Sequence, residues 1–528
     1  MRLILKEYIQ SLKEKDELDF LLCDIFEQQG YVIDNRPKTG NRQFGVDIQL
    51  HTDVEILYVV VKQGDINRRV WDTDENAVRQ SLNEIRDVTL KLLGPSDLAK
   101  QIRIIVASNG EIDGTVSPNW NGYVQANNKW CGHDLKIEFF GIDDIVKAVQ
   151  KDFFNEYLFN SELRSLMRKA LYFMDNDDYN NVYFEKVIDK IIMSFCDSES
   201  STNKRKKGMT TLYMASQMIA QYAADADFSN RAISVTEYAV LRYWRYIKQA
   251  GLYEKKDVLE LLIKLLHRYD HWNDIYISKA EMLVNGAARL PLYSNIVVNK
   301  VILYEILGYL LSYGNYLCEV NLEKAGRLLN IAIGIINKYP YSLYPPYDNS
   351  IYVIIMLVKL LQRNKRSDEI NAIMVALAQS LIYWYRREHQ YPAPKDSFEE
   401  ALDISINEEG LNYSTSAFWG YYLLLVAKYN LKNIYNLIRE FLSEDLCQVC
   451  KCVWFLHVQE EDVLYERDAM YRCGEGFALT VDDYDTFISS LHSILSQYEK
   501  EEFSFDTYSF GALEMLICHY YGYIPRVM

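Results

Sequence analysis

The chain has 528 residues, enough for roughly two to four domains of ordinary size. Hydrophobic residues make up 49% and charged residues 25%, a balance that is typical of soluble globular proteins and excludes a chain disordered throughout. The net charge is −16, from 57 basic and 73 acidic residues, so no overall positive field attracts the protein to nucleic acid. Any contact with DNA must therefore be local.

Residues 1–157 alternate helix and strand signals, which predicts one α/β domain. The segment Val59-Val60-Val61 is β-branched and continuous, as expected for a strand covered on both faces. Gly30 and the pair Gly94-Pro95 end the helical patterns before them. The predicted order is helices 3–12 and 16–29, strands 31–33, 46–50 and 56–62, helix 74–93, strands 102–107 and 136–140, and helix 142–154.

Residues 158–528 show helical periodicity almost throughout, which predicts a large all-α region built as a helical array. Segment 324–340 resembles the second half of a tetratricopeptide unit, so a tetratricopeptide-like array is one form that the region could take. Prolines at positions 340, 345 and 346 indicate a sub-boundary near 340–350. The polar segment 196–208 contains the basic run 204–207 and predicts a mobile, solvated loop.

Tyrosine is distributed unevenly between these two regions. Of the 42 tyrosines, four lie in residues 1–155 and 38 lie after them, which supports a domain boundary near residue 157. Many of the later ones fall on or beside the apolar faces of predicted helices. We therefore predict that they pack between helices or subunits. This set includes Tyr238, Tyr243, Tyr246, Tyr304, Tyr309 and Tyr313.

The cysteines and the apolar runs predict a reduced, cytoplasmic protein that does not span a membrane. Nine cysteines, an odd number over a long chain, argue against a secreted disulfide framework. The N-terminal apolar run is too short for a signal peptide, and the run 351–358 is too short for a membrane span. Cys447, Cys450 and Cys452 lie in an apolar run of helical character, which predicts buried structural cysteines rather than a zinc site.

The residues that carry chemistry lie in the first region. Asp47 falls on a short predicted strand, and Lys62 ends the next strand of the same meander. If the two strands pair, the carboxylate and the ammonium emerge side by side at one edge of the sheet. Hydrolysis of a phosphodiester uses these groups, because a carboxylate binds Mg²⁺ and a lysine can activate the attacking water. Alternatively, Asp47 is an ordinary polar residue at a strand edge and Lys62 is the solvated end of a buried strand.

The ordered segments resemble the PD-(D/E)xK nuclease superfamily, and within it the Mrr-like restriction endonucleases, over residues 15–157. The matching segments begin with Asp19, eleven positions before Gly30-Tyr31. They continue with Gly45-Val46-Asp47-Ile48, Val61-Lys62-Gln63-Gly64, the strand 104–110 with its polar end, and the closing segment 137–146. The resemblance implies a restriction-endonuclease-like fold with Asp47, Lys62 and Asp19 as catalytic residues. It also implies that Asp47, Asp19 and the backbone carbonyl of Val61 bind Mg²⁺ or Mn²⁺.

One position departs from the family pattern. Val60 stands two residues before Lys62, where the family has Glu, Asp or Gln, so the metal site lacks one oxygen ligand. Either Asp19 compensates, or the domain binds DNA without cutting it. Arg68 and Arg69 follow the second strand and are the predicted DNA-binding residues. Residues 1–155 hold 19 basic and 25 acidic side chains, so the domain by itself should bind DNA weakly.

The sequence therefore predicts a metal-dependent DNA endonuclease, by analogy of architecture an effector of bacterial antiphage defence. We expect cleavage to require self-association into a homo-oligomer or a partner ATPase or helicase, because the acidic domain would bind DNA weakly by itself. No glycine-rich nucleotide-binding motif occurs in the chain, so any ATP-driven step would come from another chain. The helical region 158–528 would then sense a signal or drive assembly. The alternative is a catalytically inactive, nuclease-like protein that binds DNA or acts as a scaffold in such a complex.

Overall fold

The computed structural model of the protein describes residues 2–35, 44–74, 76–152, 159, 161–176, 179–196, 202–290, 293, 295–388, 390–394, 398–406, 414–467, 475–496, 502–508 and 510–527. The chain divides into two compact units, Met1–Ala226 and Asp227–Met528, which we call unit 1 and unit 2. Unit 1 contains a mixed sheet surrounded by helices, and unit 2 is mostly helical. An α/β region followed by a helical region is thus confirmed.

Unit 1 is built on a six-stranded sheet in the order β1-β2-β3-β4-β6-β5. Its strands are β1 (Val32–Asn35), β2 (Ile48–His51), β3 (Glu55–Lys62), β4 (Gln101–Ser108), β5 (Lys129–Trp130) and β6 (His133–Phe140). The first three form an antiparallel meander, β3, β4 and β6 run parallel, and β5 pairs antiparallel with β6. Its helices are α1 (Arg2–Gln10), α2 (Asp19–Gln28), α3 (Arg68–Asp72), α4 (Val78–Asp87), α5 (Pro95–Leu98), α6 (Ser117–Ala126), α7 (Ile142–Asp152), α8 (Ser161–Met174), α9 (Val182–Met193) and α10 (Thr202–Asp225).

The two central strands are covered on both faces, as their β-branched sequence predicts. Alternate residues of β3, among them Tyr58 and Val60, lie in one apolar cluster that also contains Val106 and Trp71. Residues on the opposite face of the same strand, such as Val59, are equally inaccessible to solvent. Helix α6 and strand β5 were not predicted, because their sequences carry little hydrophobic periodicity.

The boundary between the units lies after Ala226 and not near residue 157, because α8, α9 and α10 pack within unit 1. Helix α10 contacts α1, and Lys207 Nζ lies 2.5 Å from the carboxylate oxygens of Glu17. The backbone at Gly208 lies so close to Phe195 that a Cβ at position 208 would be 2.1 Å from its ring. The predicted loop 196–208 is therefore wrong from Thr202 onward, where α10 begins. Residues 197–201 lie outside the described residues.

Unit 2 is a set of helices packed around a long apolar helix. The helices are α11 (Ser229–Ala250), α12 (Lys256–Val284), α13 (Ile296–Leu317), α14 (Leu322–Lys338), α15 (Ile351–Arg363), α16 (Asp368–Glu388), α17 (Phe398–Ile406), α18 (Ala417–Lys428), α19 (Lys432–Glu444), α20 (Tyr484–Leu495), α21 (Ser504–Thr507) and α22 (Leu513–Tyr521). Helix α13 contacts α14, α15 and α22. Among the described residues it is the one helix long and apolar enough to cross a membrane, and 67% of its apolar window is buried inside the protein. Such burial is typical of the core helix of a soluble protein, and the cytoplasmic location stays a prediction.

A small sheet interrupts the helices of unit 2, so this region is not all-α. Its strands are β7 (Thr415–Ser416), β8 (Cys450–Phe455) and β9 (Glu475–Leu479), in the order β7-β8-β9. The predicted helical run around Cys450 is therefore a strand. Residues two apart on a strand share a face, and Cys452 Sγ lies 3.3 Å from Cys450 Sγ. Both are partly buried and Cys447 is exposed, so the prediction of buried cysteines is wrong for Cys447.

Many of the later tyrosines lie in the interior of unit 2. The six tyrosines singled out on predicted helix faces are all buried, with exposed fractions between 0% and 7%. Tyr269, for example, makes edge-to-face contacts with Tyr313 and Tyr316 at centroid distances of 5.6 and 5.4 Å. The packing role predicted for these six tyrosines is confirmed.

Candidate active site at the edge of the sheet

The pairing of β2 with β3 places Asp47 against the strand that ends at Lys62. Ile48 lies opposite Val59 in the antiparallel register, and the residue before it, Asp47, donates its backbone N–H to the Val59 carbonyl at 2.9 Å. The Asp47 side chain then reaches along the strand, where its Oδ2 accepts the N–H of Val61 at 2.7 Å. Asp47 is thus fixed one residue away from Lys62.

Gly45, two residues before Asp47, occupies a backbone position that requires glycine. Gly45 has a φ of +83°, which L residues with a side chain rarely adopt. A Cβ at this position would also lie 2.3 Å from the backbone oxygen of Ser81 on α4. The family-like glycine two residues before Asp47 is therefore needed to let the chain turn close to α4 and enter β2.

Burial and three charged side chains determine the electrostatic surroundings of Asp47. Burial raises the pKa of the Asp47 carboxyl above its ordinary value of 3.8. The Val61 N–H and the charge of Lys62 lower that pKa, and the negative charges of Glu14 and Asp19 raise it. Three carboxylates and one ammonium therefore interact at this edge of the sheet. A carboxyl whose pKa is shifted by burial and by charged neighbours occurs at functional sites more often than elsewhere.

Asp19 and Glu14 come from the segment that joins the first two helices. Asp19 is the first residue of α2 and is 4% exposed. Glu14 begins a short π-helical turn, Glu14–Leu18, that runs directly into α2. The sequence interpretation identified Asp19 and missed Glu14. The five-residue spacing between Glu14 and Asp19 could have indicated the pair. A π-helical turn bonds residue i to residue i+5 and so places residues five apart on the same side.

Lys62 is nearly buried, and its ammonium makes no ion pair with the residues that the structure describes. Its exposed fraction is 9%. Within the described part of the chain, Lys62 Nζ has neither a hydrogen-bond acceptor nor a carboxylate at ion-pair distance. A buried ammonium without a partner is costly, so a site that tolerates one is suited to an anionic ligand.

Side chains at the end of β4 hold the turn after Lys62 through hydrogen bonds. Ser108 Oγ donates to the Gly64 carbonyl at 2.6 Å, and the Gly64 N–H donates to Asn109 Oδ1 at 2.7 Å. The amide of Asn109 also donates to the carbonyls of Ile9 and Leu12 at 3.0 and 2.9 Å, at the end of α1. Ser108 and Asn109 are the polar residues at the end of β4, within the segment 104–110 that resembles the nuclease pattern. They fix the direction in which Lys62 leaves the sheet.

Val60 and Val61 do not supply side-chain ligands. Val60 is completely buried in the apolar cluster that contains Tyr58 and Trp71, so a core contact takes the place of the family's acidic or amide side chain. Val61 is bound to Asp47 through its N–H, and its side chain is buried. A metal role for the Val61 carbonyl stays a prediction.

The predicted DNA-binding arginines lie on α3, which begins six residues after Lys62. Both are exposed. The Arg69 guanidinium donates to Asp74 at 2.6 Å, so its charge is partly neutralised within the same segment. Arg68 makes no hydrogen bond or ion pair with the described residues. Arg68 is therefore the better placed of the two for a phosphate.

A divalent cation at this site would have few protein ligands. Asp47 uses Oδ2 for the Val61 N–H, and its Oδ1 has no hydrogen-bond donor among the described residues. No group of three His, Cys, Asp or Glu side chains in the described ranges stands close enough to hold a metal ion. Mg²⁺ commonly takes one or two carboxylates and keeps several waters or substrate oxygens, so this donor set suits Mg²⁺ or Mn²⁺ better than zinc.

Comparison with known proteins finds no matching family model, no matching curated protein and no matching solved structure.

Proposed function

We propose that the protein is a metal-dependent DNA endonuclease whose active site is the sheet edge at Asp47 and Lys62. The observation that carries the proposal is the bond from Asp47 to the backbone of Val61. It sets a half-buried carboxylate beside a nearly buried, unpaired lysine, with Asp19 and Glu14 close enough to act on the same carboxylate. Asp47, Lys62 and Asp19 are the side chains that the resemblance to Mrr-like nucleases implies.

The roles of the residues follow from their charges. Asp47 offers its free Oδ1 to the cation, and Asp19 and Glu14 add the negative charge that favours cation binding. A bound Mg²⁺ or Mn²⁺ would polarise the phosphate and lower the pKa of a bound water. Lys62 orients the attacking water and stabilises the negative charge that develops on the phosphate oxygens.

Activity would depend on assembly. The first 155 residues carry more acidic than basic side chains, and one of the two predicted DNA-binding arginines is already paired with Asp74. A single copy would neutralise few phosphates and bind DNA weakly. Self-association, or a partner ATPase or helicase, would supply the additional contacts with DNA phosphates. In this proposal unit 2 provides the sensing or assembly function of an antiphage defence effector.

The direct test is cleavage of supercoiled plasmid DNA with Mg²⁺ or Mn²⁺. Wild-type protein, alone and with a candidate partner, should nick or linearise the plasmid, and Lys62→Ala and Asp47→Ala should not. Lys91→Ala changes an exposed lysine of the same unit and serves as the control that retains activity. Equal cleavage by the wild type and by both site variants would refute the proposed site.

A second function is supported by Val60. Its complete burial in the core, together with the lack of a three-residue metal group among the described side chains, favours a nuclease-like protein that binds DNA or acts as a scaffold without cutting. Titration with Mg²⁺ separates the two functions. Absence of binding that depends on Asp47, with no cleavage in any assembly state, would favour the scaffold.

A further inference from the structure

Unit 2 contains a partly enclosed cavity of about 440 Å³, within the size range of small-molecule sites. It lies among α18, the end of β8, α22 and the C-terminal segment 523–527. Its wall is rich in aromatic side chains, and these are Tyr421, Trp454, Phe455, Phe503, Phe505 and Tyr523. Leucine and isoleucine side chains, such as Leu424 and Ile517, complete the apolar surface. The body of any ligand must therefore be apolar, and flat rings fit best.

The acidic groups at the cavity are already neutralised by protein cations. Glu514 accepts from the Arg526 backbone N–H and from its Nε, both at 2.9 Å, and Lys359 Nζ lies 3.6 Å from its second oxygen. Arg526 also binds Asp506 through two nitrogens at 2.7 and 2.9 Å. These contacts lower the pKa of Glu514 to about 2 despite its burial. Neither carboxylate is left to bind a cationic ligand.

Lys428 is the charged wall residue that lacks a counter-ion. Its ammonium donates to the Val527 carbonyl, and in the described part of the chain no carboxylate lies within ion-pair distance of it. Burial lowers the pKa of Lys428, and the nearby positive charge of Lys359 lowers it further. Among the described residues at this end of the cavity, three cations (Lys428, Lys359 and Arg526) therefore face two carboxylates. One negative charge on a ligand would balance them.

We propose that this cavity binds a small aromatic monocarboxylate, with the ring among the aromatic wall residues and the carboxylate on Lys428. A carboxylate suits the site better than a phosphate, because one unpaired ammonium can balance one charge and the carboxylates of Glu514 and Asp506 would repel a dianion. This site is independent of the proposed nuclease centre, so its test does not depend on DNA cleavage.

The experiment is isothermal titration of the full chain with indole-3-acetate and with its uncharged amide, indole-3-acetamide. Indole-3-acetate should bind at one site per chain, and the amide at least about tenfold more weakly, because it lacks the charge. Lys428→Met should weaken indole-3-acetate by about tenfold and leave the amide unchanged. Lys428→Arg should retain binding. Lys256→Met, which alters a lysine that is 91% exposed on α12, is the matched control.

Two further sets of titrations test other classes of ligand and the contribution of cavity shape to binding. Leu424→Phe narrows the cavity without changing a charge and should weaken both indole probes alike. Dodecanoate and phenyl phosphate test a fatty acid and a dianion. Tighter binding of either one than of indole-3-acetate would overturn the aromatic monocarboxylate. Equal affinity of indole-3-acetate for the wild type and for Lys428→Met would also overturn the proposal. A dissociation constant above about 1 mM for indole-3-acetate and the wild type would do the same.

Discussion

Replacement of Lys62 by methionine separates a catalytic lysine from a structural one. Lys62 is 9% exposed at the end of an apolar strand, and a methionine keeps the length of its stem while removing the charge. No protein hydrogen bond or ion pair of the described residues is broken by the change. We therefore expect Lys62→Met to fold, with a thermal midpoint equal to or above that of wild type, because an unpaired and nearly buried charge is removed.

The effect on cleavage should be much larger than the effect on stability. Among the described residues no carboxylate lies within ion-pair distance of Lys62 Nζ, so its ammonium can interact with the charge that develops in the transition state. Removal of one such preorganised group costs about 10²- to 10³-fold in rate, or roughly 3–4 kcal/mol of transition-state stabilisation. A role in proton transfer would add to this loss. Because Lys62 also lowers the pKa of Asp47, the acid side of any residual pH–rate profile should move to higher pH.

The assay is the initial rate of plasmid nicking under single-turnover conditions, measured across pH with Mg²⁺ and with Mn²⁺. Thermal unfolding is recorded on the same preparations, and Lys91→Met provides an exposed-lysine control. Calorimetric titration should show that Lys62→Met still binds Mg²⁺, since it leaves the carboxylates in place. A rate within threefold of wild type at equal stability would refute the assignment of Lys62.

Three further predictions concern other groups in the structure. Glu14→Gln should weaken Mg²⁺ binding and move the acid side of the pH–rate profile to lower pH, because the charge of Glu14 raises the pKa of Asp47; an unchanged profile would remove Glu14 from the site. Burial lowers the pKa of Lys300 to about 7, below its unfolded value of 10.5, so the penalty for burying it is greatest below pH 7 and is lost as pH rises toward 10.5. Lys300→Met should accordingly raise the free energy of unfolding by roughly 1–4 kcal/mol at pH 7 and progressively less at higher pH, and a gain that grew with pH would contradict this. His519→Leu should lower the free energy of unfolding by about 3 kcal/mol in urea titrations, because it leaves Glu237, which is 0% exposed and lies 2.9 Å from His519 Nδ1, without its partner.

The periodicity of the sequence predicted most of the first sheet. Strands β3 and β4 follow from continuous β-branched runs, and the ends of α2 and α7 follow from ordinary amphipathic patterns. The positions of Asp47 and Lys62 at one edge followed from pairing two consecutive strands, which a short connection favours. These features depend on neighbours in the chain, and local physical chemistry is sufficient to predict them.

Other features depend on contacts between distant segments. The apolar run around Cys450 fits a helix or a strand equally well, and pairing with the distant strand β9 decides the matter. The basic run 204–207 has the composition of a solvated loop, yet Lys207 bonds to Glu17, 190 positions earlier, and α10 joins unit 1. A composition boundary near residue 157 could not reveal that packing.

By itself, then, the sequence determined the main strands and helices of the first sheet, the packing role of the tyrosines and the pair of residues that suggests phosphodiester chemistry. Tertiary structure alone decided that Glu14 acts on Asp47, and that a cavity in unit 2 leaves Lys428 without a counter-ion among the described residues. The physical reason is the range of the interactions. Periodicity and capping act over a few residues, whereas burial and electrostatic coupling are set by whichever segments meet in the folded chain.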